Sequence, residues 1–130
     1  MTFAIIAHDG KKAEMVSFLM KHLDFLHRAD VALVATGTTG SHAERAGLTV
    51  KKVESGPRGG DAQIAAMVTE GKVDAVLFFR DPLDRHPHEP DIAMLMRICD
   101  VHDVPLATNP ATARMIVCGL EKNLNNEDHE

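Results

Sequence analysis

Five short apolar runs, each about one strand long, alternate with stretches of helical periodicity, and this alternation limits the chain to few architectures. The runs are Phe3–Ala7, Val31–Ala35, a thinner and edge-like Thr49–Val53, Ala75–Phe79 and Pro105–Thr108. Between them, Met15, Phe18, Leu19, Leu23 and Leu26 share one face of a helix predicted over Lys12–Leu26. A short helix follows over Ser41–Ala46, stopped by Gly47, and another over Asp61–Glu70, stopped by Gly71. Helices over Pro90–Asp100 and Pro110–Leu120 complete the pattern, the first opened by a proline suited to a first turn. Near-continuous apolar strands need cover on both faces. The expectation is therefore a single three-layer α/β/α domain over residues 1–120, Rossmann-like, with a five-stranded, mainly parallel sheet. Residues 121–130 are polar, lack apolar periodicity and are expected to form a flexible tail.

Composition narrows the function classes. A net charge of −5 argues against a general nucleic-acid binder, which would carry a basic face. No apolar run approaches the ~20 residues that span a bilayer, and no signal-peptide pattern opens the sequence. Cys99 and Cys118 lie in apolar helical surroundings, which predicts buried free thiols and a cytoplasmic location.

In an open parallel sheet, ligands bind beyond the carboxyl ends of the strands. The unusual chemistry of this chain falls there. Strand one leads into His8-Asp9-Gly10-Lys11-Lys12, strand two into Thr36-Gly37-Thr38-Thr39-Gly40, and strand three into Ser55-Gly56-Pro57-Arg58-Gly59-Gly60-Asp61. Strand four leads into Arg80 to Asp91, which contains Asp81, His88 and Asp91, and strand five into Thr108-Asn109-Pro110. Glycines allow close backbone approach to an anion, and a helix start offers unpaired N–H groups. Two such segments beside Lys12 favour a phosphorylated ligand. Asp61, next to two glycines, has the character of a general base, and His88, just before a helix start, that of a neutral carbonyl polariser. Each residue also has a plainer reading. Thr38 or Thr39 would cap a helix, Asp61 would be an N-cap, and Asp91 a favourable first-turn acid. Lys12 would be solvated, and His8 satisfied by backbone carbonyls.

Other chemistries fit less well. His86 and His88 with Asp81, Asp84, Glu89 and Asp91 offer metal ligands on paper, but three prolines stiffen the segment and no complete ligand set is fixed. Thr36–Gly40 lacks the lysine of a nucleotide-hydrolysing loop, and no Gly-x-Ser-x-Gly occurs.

Taken in order, Ala7-His8-Asp9 with Lys12, Ala35–Gly40, Ser55–Asp61, Phe78–Leu83, Pro87–Asp91 and Ala107–Asn109 resemble the methylglyoxal synthase family, from about Phe3 to Val117. The resemblance implies a lyase that converts dihydroxyacetone phosphate to methylglyoxal and inorganic phosphate without a metal or organic cofactor. By position, Asp61 resembles the base, His88 the carbonyl-polarising group and Asp91 a supporting acid. His8, Lys12, Thr36, Gly37, Thr38, Thr39, Ser55 and Gly56 resemble the substrate and phosphate pocket, with Asp9 and Asp81 as supporting acids. The resemblance further implies a homohexamer inhibited by phosphate. The competing expectation is a non-catalytic effector-binding module of the same fold.

Overall fold

The computed structural model describes residues 1–128. Its sheet contains β1 (Thr2–Ala7), β2 (Ala32–Thr36), β3 (Lys51–Val53), β4 (Ala75–Phe79) and β5 (Leu106–Ala107). All pairings are parallel, in the order β3-β2-β1-β4-β5. Every predicted strand is present, within a residue or two at each end. The helices are α1 (Lys12–Lys21), α2 (Leu23–Leu26), α3 (Gly37–Arg45), α4 (Gly60–Thr69), α5 (Glu89–Val101) and α6 (Pro110–Asp128). Two 3₁₀ turns, Asp9–Lys11 and Gly56–Arg58, follow β1 and β3.

The pleat of each central strand divides its side chains between two cores. Phe3, Ile5 and Ala7 of β1 and Ala75, Leu77 and Phe79 of β4 face one core with Met15, Phe18, Leu19, Ala43, Ala113 and Val117. Ala4, Ile6, Val76 and Phe78 face the other, with Ile64, Val68, Ile92, Leu95 and Cys99. Thus α4 and α5 cover one face, and α1, α2, α3 and α6 the other. Full burial of each large apolar side chain contributes about 2–3 kcal/mol, so both faces hold the sheet. Among the described residues, no helix is long and apolar enough to cross a membrane.

Three features depart from the sequence reading. The first helix is broken at His22, whose N–H is shared between the carbonyls of Phe18 and Leu19, so Lys12–Leu26 forms two pieces. The Thr36–Gly40 segment is not a loop before a helix at Ser41: α3 begins at Gly37, and the run is its first turn. Glycines disguised this, because they are poor helix formers in isolation. Here Gly37 packs on the Val53–Ser55 backbone, and Gly40 lies beneath the Lys52 side chain. Finally, α6 runs past Leu120 to Asp128, so the expected flexible tail is helical over most of its length. The last two residues of that tail, 129–130, lie outside the described part.

The order of strands places the chain's reversal between β1 and β4, the usual position of a ligand crevice. Gly60 sets the depth of its floor. A Cβ there would overlap the Glu54 carbonyl and stand 2.9 Å from the Thr36 methyl group. Gly60→Ala is therefore expected to lower the unfolding free energy by about 3 kcal/mol, measured by urea denaturation. Wild-type stability in that variant would show that α4 can move away from β3 at little cost.

Candidate active site

A cavity of about 280 Å³ opens at the carboxyl ends of β1–β4. Its walls come from four loops. His8, Asp9 and Lys12 follow β1; Thr36 and Thr38 end β2 and open α3; Ser55, Gly56, Pro57 and Asp61 follow β3; and Asp84 to His88 follow β4. The segment after β5 does not reach it. Thr108, Asn109 and Pro110 line a separate cleft with Arg80 and Lys11.

Asp61 is the most unusual group in the cavity. It occupies the first turn of α4, is 0% exposed, and neither carboxylate oxygen has a hydrogen-bond partner. It is not an N-cap: Gly59 holds that position in the left-handed region (φ 102°), which suits glycine. Burial is the main cause that raises its pKa, and the Asp91 charge adds to the rise while His88 opposes it. The His88 Nε2 stands 3.6 Å from Asp61 Oδ2, beyond hydrogen-bond length but within strong electrostatic reach. Gly56 lies beside both. A Cβ on Gly56 would sit 2.7 Å from His88 Nε2 and 3.3 Å from Asp61 Oδ1. Absence of that atom keeps open the space the two side chains share.

His88 precedes α5 and is buried, with Nδ1 unpartnered. Asp91 lies one turn on; its backbone N–H donates to the His88 carbonyl at 3.0 Å, and its carboxylate is outside the cavity wall. His8 is buried, but not against backbone carbonyls. Its Nδ1 accepts the Asp81 N–H at 2.8 Å. The neutral ring therefore carries its proton on Nε2, which is buried and unpartnered. Asp81 stays outside the cavity, accepting the Leu83 N–H.

The opposite wall has anion-binding character. Lys12 Nζ donates to the Ala7 carbonyl at 2.9 Å and to Asp9 Oδ1 at 2.8 Å, which fixes the ammonium at the cavity edge. Asp9 is exposed, and its hydrogen bond from Lys12 holds its carboxyl below the usual range. Thr38 presents its side chain at the N-terminus of α3, where backbone donors and the helix dipole favour an anion. Thr39 does not line the cavity. Its buried hydroxyl accepts the Ala7 N–H at 3.0 Å and the Thr36 hydroxyl at 3.3 Å, tying α3 to β1. Gly37 is likewise a packing position: its N–H donates to Glu54 at 3.3 Å.

The structure thus gathers His8, Asp9, Lys12, Thr36, Thr38, Ser55, Gly56, Asp61 and His88 around one space. Gly37, Thr39, Asp81 and Asp91 stand behind it. Asp84, Arg85, His86 and Pro87 were not singled out as substrate contacts by the sequence, because an irregular polar loop carries no periodicity to show which side chains turn inward. No group of three or more His, Cys, Asp or Glu among the described residues is arranged to hold a metal ion.

Burial, with the neighbouring His86, His88 and Arg80, lowers the His8 pKa from 6.5 to about 4. The unfolded chain then binds a proton at His8 below pH 6.5 that the folded chain refuses until about pH 4. Stability from this residue is complete above pH 6.5 and lost as pH falls through that window. Relative to His8→Gln, the wild type should lose up to about 3 kcal/mol between those limits. Chemical denaturation across the pH range tests this, and parallel curves would mean His8 is freely protonated in the folded protein.

Residues 16–108 match the MGS-like domain family. A methylglyoxal synthase from Thermus thermophilus is 55% identical over 120 residues, covering 92% of this chain and 94% of that protein. One from Geobacillus thermodenitrificans is 54% identical over 123 residues, covering 94% and 84% respectively. The crystal structure of methylglyoxal synthase from Elizabethkingia anophelis superposes with a TM-score of 0.82 at 42% identity, covering 89% of this chain and 76% of that one. On this match and these identities, this chain belongs to the methylglyoxal synthase family.

Proposed function

We propose that this protein is a lyase that converts dihydroxyacetone phosphate to methylglyoxal and inorganic phosphate. One observation carries the reading: a wholly buried carboxylate, Asp61, without a hydrogen-bond partner, faces a buried histidine across space kept open by Gly56. A carboxylate stripped of hydrogen bonds holds a proton more tightly than one in water, which makes it a better base. An effector-binding module of the same fold would gain nothing from that costly arrangement.

Asp61 takes a proton from the hydroxymethyl carbon of the substrate, and the released electron pair forms the enediolate double bond. Negative charge develops on the carbonyl oxygen, where His88 donates a hydrogen bond and moves a proton between the neighbouring oxygens. The His8 Nε2–H, directed by the Asp81 bond to Nδ1, is a second donor to substrate oxygen. Collapse of the enediolate then breaks the carbon–oxygen bond to phosphate and leaves the enol of methylglyoxal, which ketonises. Lys12, Thr36, Thr38, Ser55 and Gly56 hold the departing phosphate, with Asp9 steadying Lys12. Asp91 supports the site by raising the proton affinity of Asp61. Elimination rather than isomerisation requires the phosphate carbon–oxygen bond to stand near perpendicular to the enediolate plane.

Product phosphate would occupy the cradle used by the substrate, so inhibition by phosphate belongs to the proposal. A homohexameric assembly is what the family resemblance implies, and a cytoplasmic location is the reading drawn from the cysteines. Both cysteines are free thiols, which accords with a reducing compartment, but only Cys99 is buried; Cys118, expected to be buried, is exposed on α6.

Purified protein should release methylglyoxal and phosphate in equal amounts from dihydroxyacetone phosphate in the presence of a chelator. Glyceraldehyde 3-phosphate without phosphate release would replace the lyase with an isomerase, and no turnover would favour the effector-binding module. Asp61→Asn should lower kcat by between about 10²- and 10⁴-fold while phosphate still binds. At pH 7 it should also be more stable than wild type by about 1 kcal/mol, because an unpaired buried charge is removed. That gain shrinks as pH falls through the raised pKa of Asp61, because the protonated acid carries no buried charge. Gly56→Ala, which adds one methyl group between base and histidine, should lower kcat/KM by about 10²-fold. Normal turnover in either variant would move the chemistry elsewhere in the cavity.

A further inference from the structure

His86 has no part in the steps above, yet its geometry is as particular as that of any residue that does. Its ring stacks on His8 with centroids 3.6 Å apart and planes inclined by 24°. It lines the cavity, and its Nε2 is buried without a partner. The other side of the His8 environment is set by Phe78, whose ring meets His8 edge-on at 5.1 Å. His8 is therefore held between an aromatic edge and a second imidazole, and its Nδ1 receives the Asp81 N–H at 2.8 Å.

These contacts matter for the whole segment between β4 and α5, residues 80–88, which has no regular structure. Apart from Arg80 N–H to the Thr108 carbonyl at 3.4 Å, its other hydrogen bonds are local: Leu83 N–H to Asp81, Arg85 N–H to Asp84, Glu89 N–H to His86, and the N–H groups of Asp91 and Ile92 to His88. The Asp81–His8 bond and the His86–His8 stack are two short ties between this segment and the end of β1. The same segment delivers His88 to Asp61.

We propose that His86 is a positioning residue: by stacking on His8 it clamps the β4–α5 segment to β1 and holds His88 opposite Asp61. The inference rests on the lyase reading for its catalytic consequence, but not for its structural one. Stacking also covers His8 from water, and this favours the neutral ring. Neutrality is required by the tie itself. A proton on His8 Nδ1 would set one donor against the Asp81 N–H and break the bond. The charged or titratable groups around the stacked pair are Asp9 and Lys12 after β1, Asp61 on α4, and Arg80, Asp81, Asp84, Arg85 and His88 on the His86 segment.

The test compares wild type, His86→Ala and His86→Phe by two readouts: the pH profile of kcat/KM, and the protonation of His8 followed by imidazole ¹⁵N shifts. In wild type, His8 should remain a neutral Nε2–H tautomer down to about pH 4. In His86→Ala it should titrate closer to its ordinary value, with kcat/KM lower by about 10-fold at pH 7 and the acid limb displaced upward. His86→Phe, which restores a ring face without a titrating group, should recover most of that loss and keep His8 neutral. An alanine variant with the wild-type pH profile and His8 titration would overturn the proposal. So would a phenylalanine variant as impaired as alanine. If wild type releases no methylglyoxal, the lyase reading fails, and the His8 titration, read without turnover, still decides the clamp.

Discussion

The close approach of α4 to the end of β3 is the constraint on which the site depends. Gly60 lies so near the Glu54 carbonyl and Thr36 that no side chain fits, while Gly59 supplies the left-handed turn that starts the helix. Together they drive the first turn of α4 down onto the sheet edge. Asp61, one residue further, is carried out of water as a result. Its burial follows from backbone packing and not from any affinity of a carboxylate for an apolar place. Apolar contacts of Ile64, Ala65 and Val68 against the sheet provide the energy that holds it there.

Among the described residues, the buried side-chain polar atoms without partners lie at the cavity, with the single exception of Arg80 Nε beside the neighbouring cleft. Both Asp61 oxygens, His8 Nε2, His86 Nε2 and His88 Nδ1 are buried without partners, and all belong to residues that line the same space. Unsatisfied buried groups cost about 1–3 kcal/mol each, so their concentration in one place points to a ligand that completes them. Around them, the polar groups that set geometry are paired: Thr39 with β1, Lys12 with Asp9 and Ala7, and His8 Nδ1 with Asp81. Rigid supports surround reactive groups that lack partners, as expected of a preorganised site.

Much of this was legible in the residues. Alternating apolar runs gave five strands and their parallel arrangement, because strands covered on both faces cannot alternate polar with apolar. Placement of Lys12, Thr38, Gly56, Asp61 and His88 after successive strands foretold a common edge. The reading of Thr36–Gly40 as a loop failed, because glycines that permit packing on β3 have the same sequence signature as glycines that free the backbone. Thr39 and Thr36 look equivalent in the sequence, but Thr39, in the first turn of α3, turns inward to β1, whereas Thr36, at the end of β2, borders the cavity. His86 was seen only as a paper metal ligand; its stack on His8 joins residues 78 positions apart, beyond the reach of any local pattern.

By itself, then, the sequence determined the fold class, the edge of the sheet that carries chemistry, and the kinds of groups assembled there. Periodicity and strand-end composition are local properties, and they survive in one dimension. Only the tertiary structure decided which groups lose water and which find partners. Asp61 is a buried carboxylate without partners and not a helix cap because α4 is pressed against β3. His8 is a neutral donor because Asp81 and His86 reach it from a distant segment. Burial and hydrogen-bond pairing are sums over neighbours brought together by folding, and no single stretch of chain contains them.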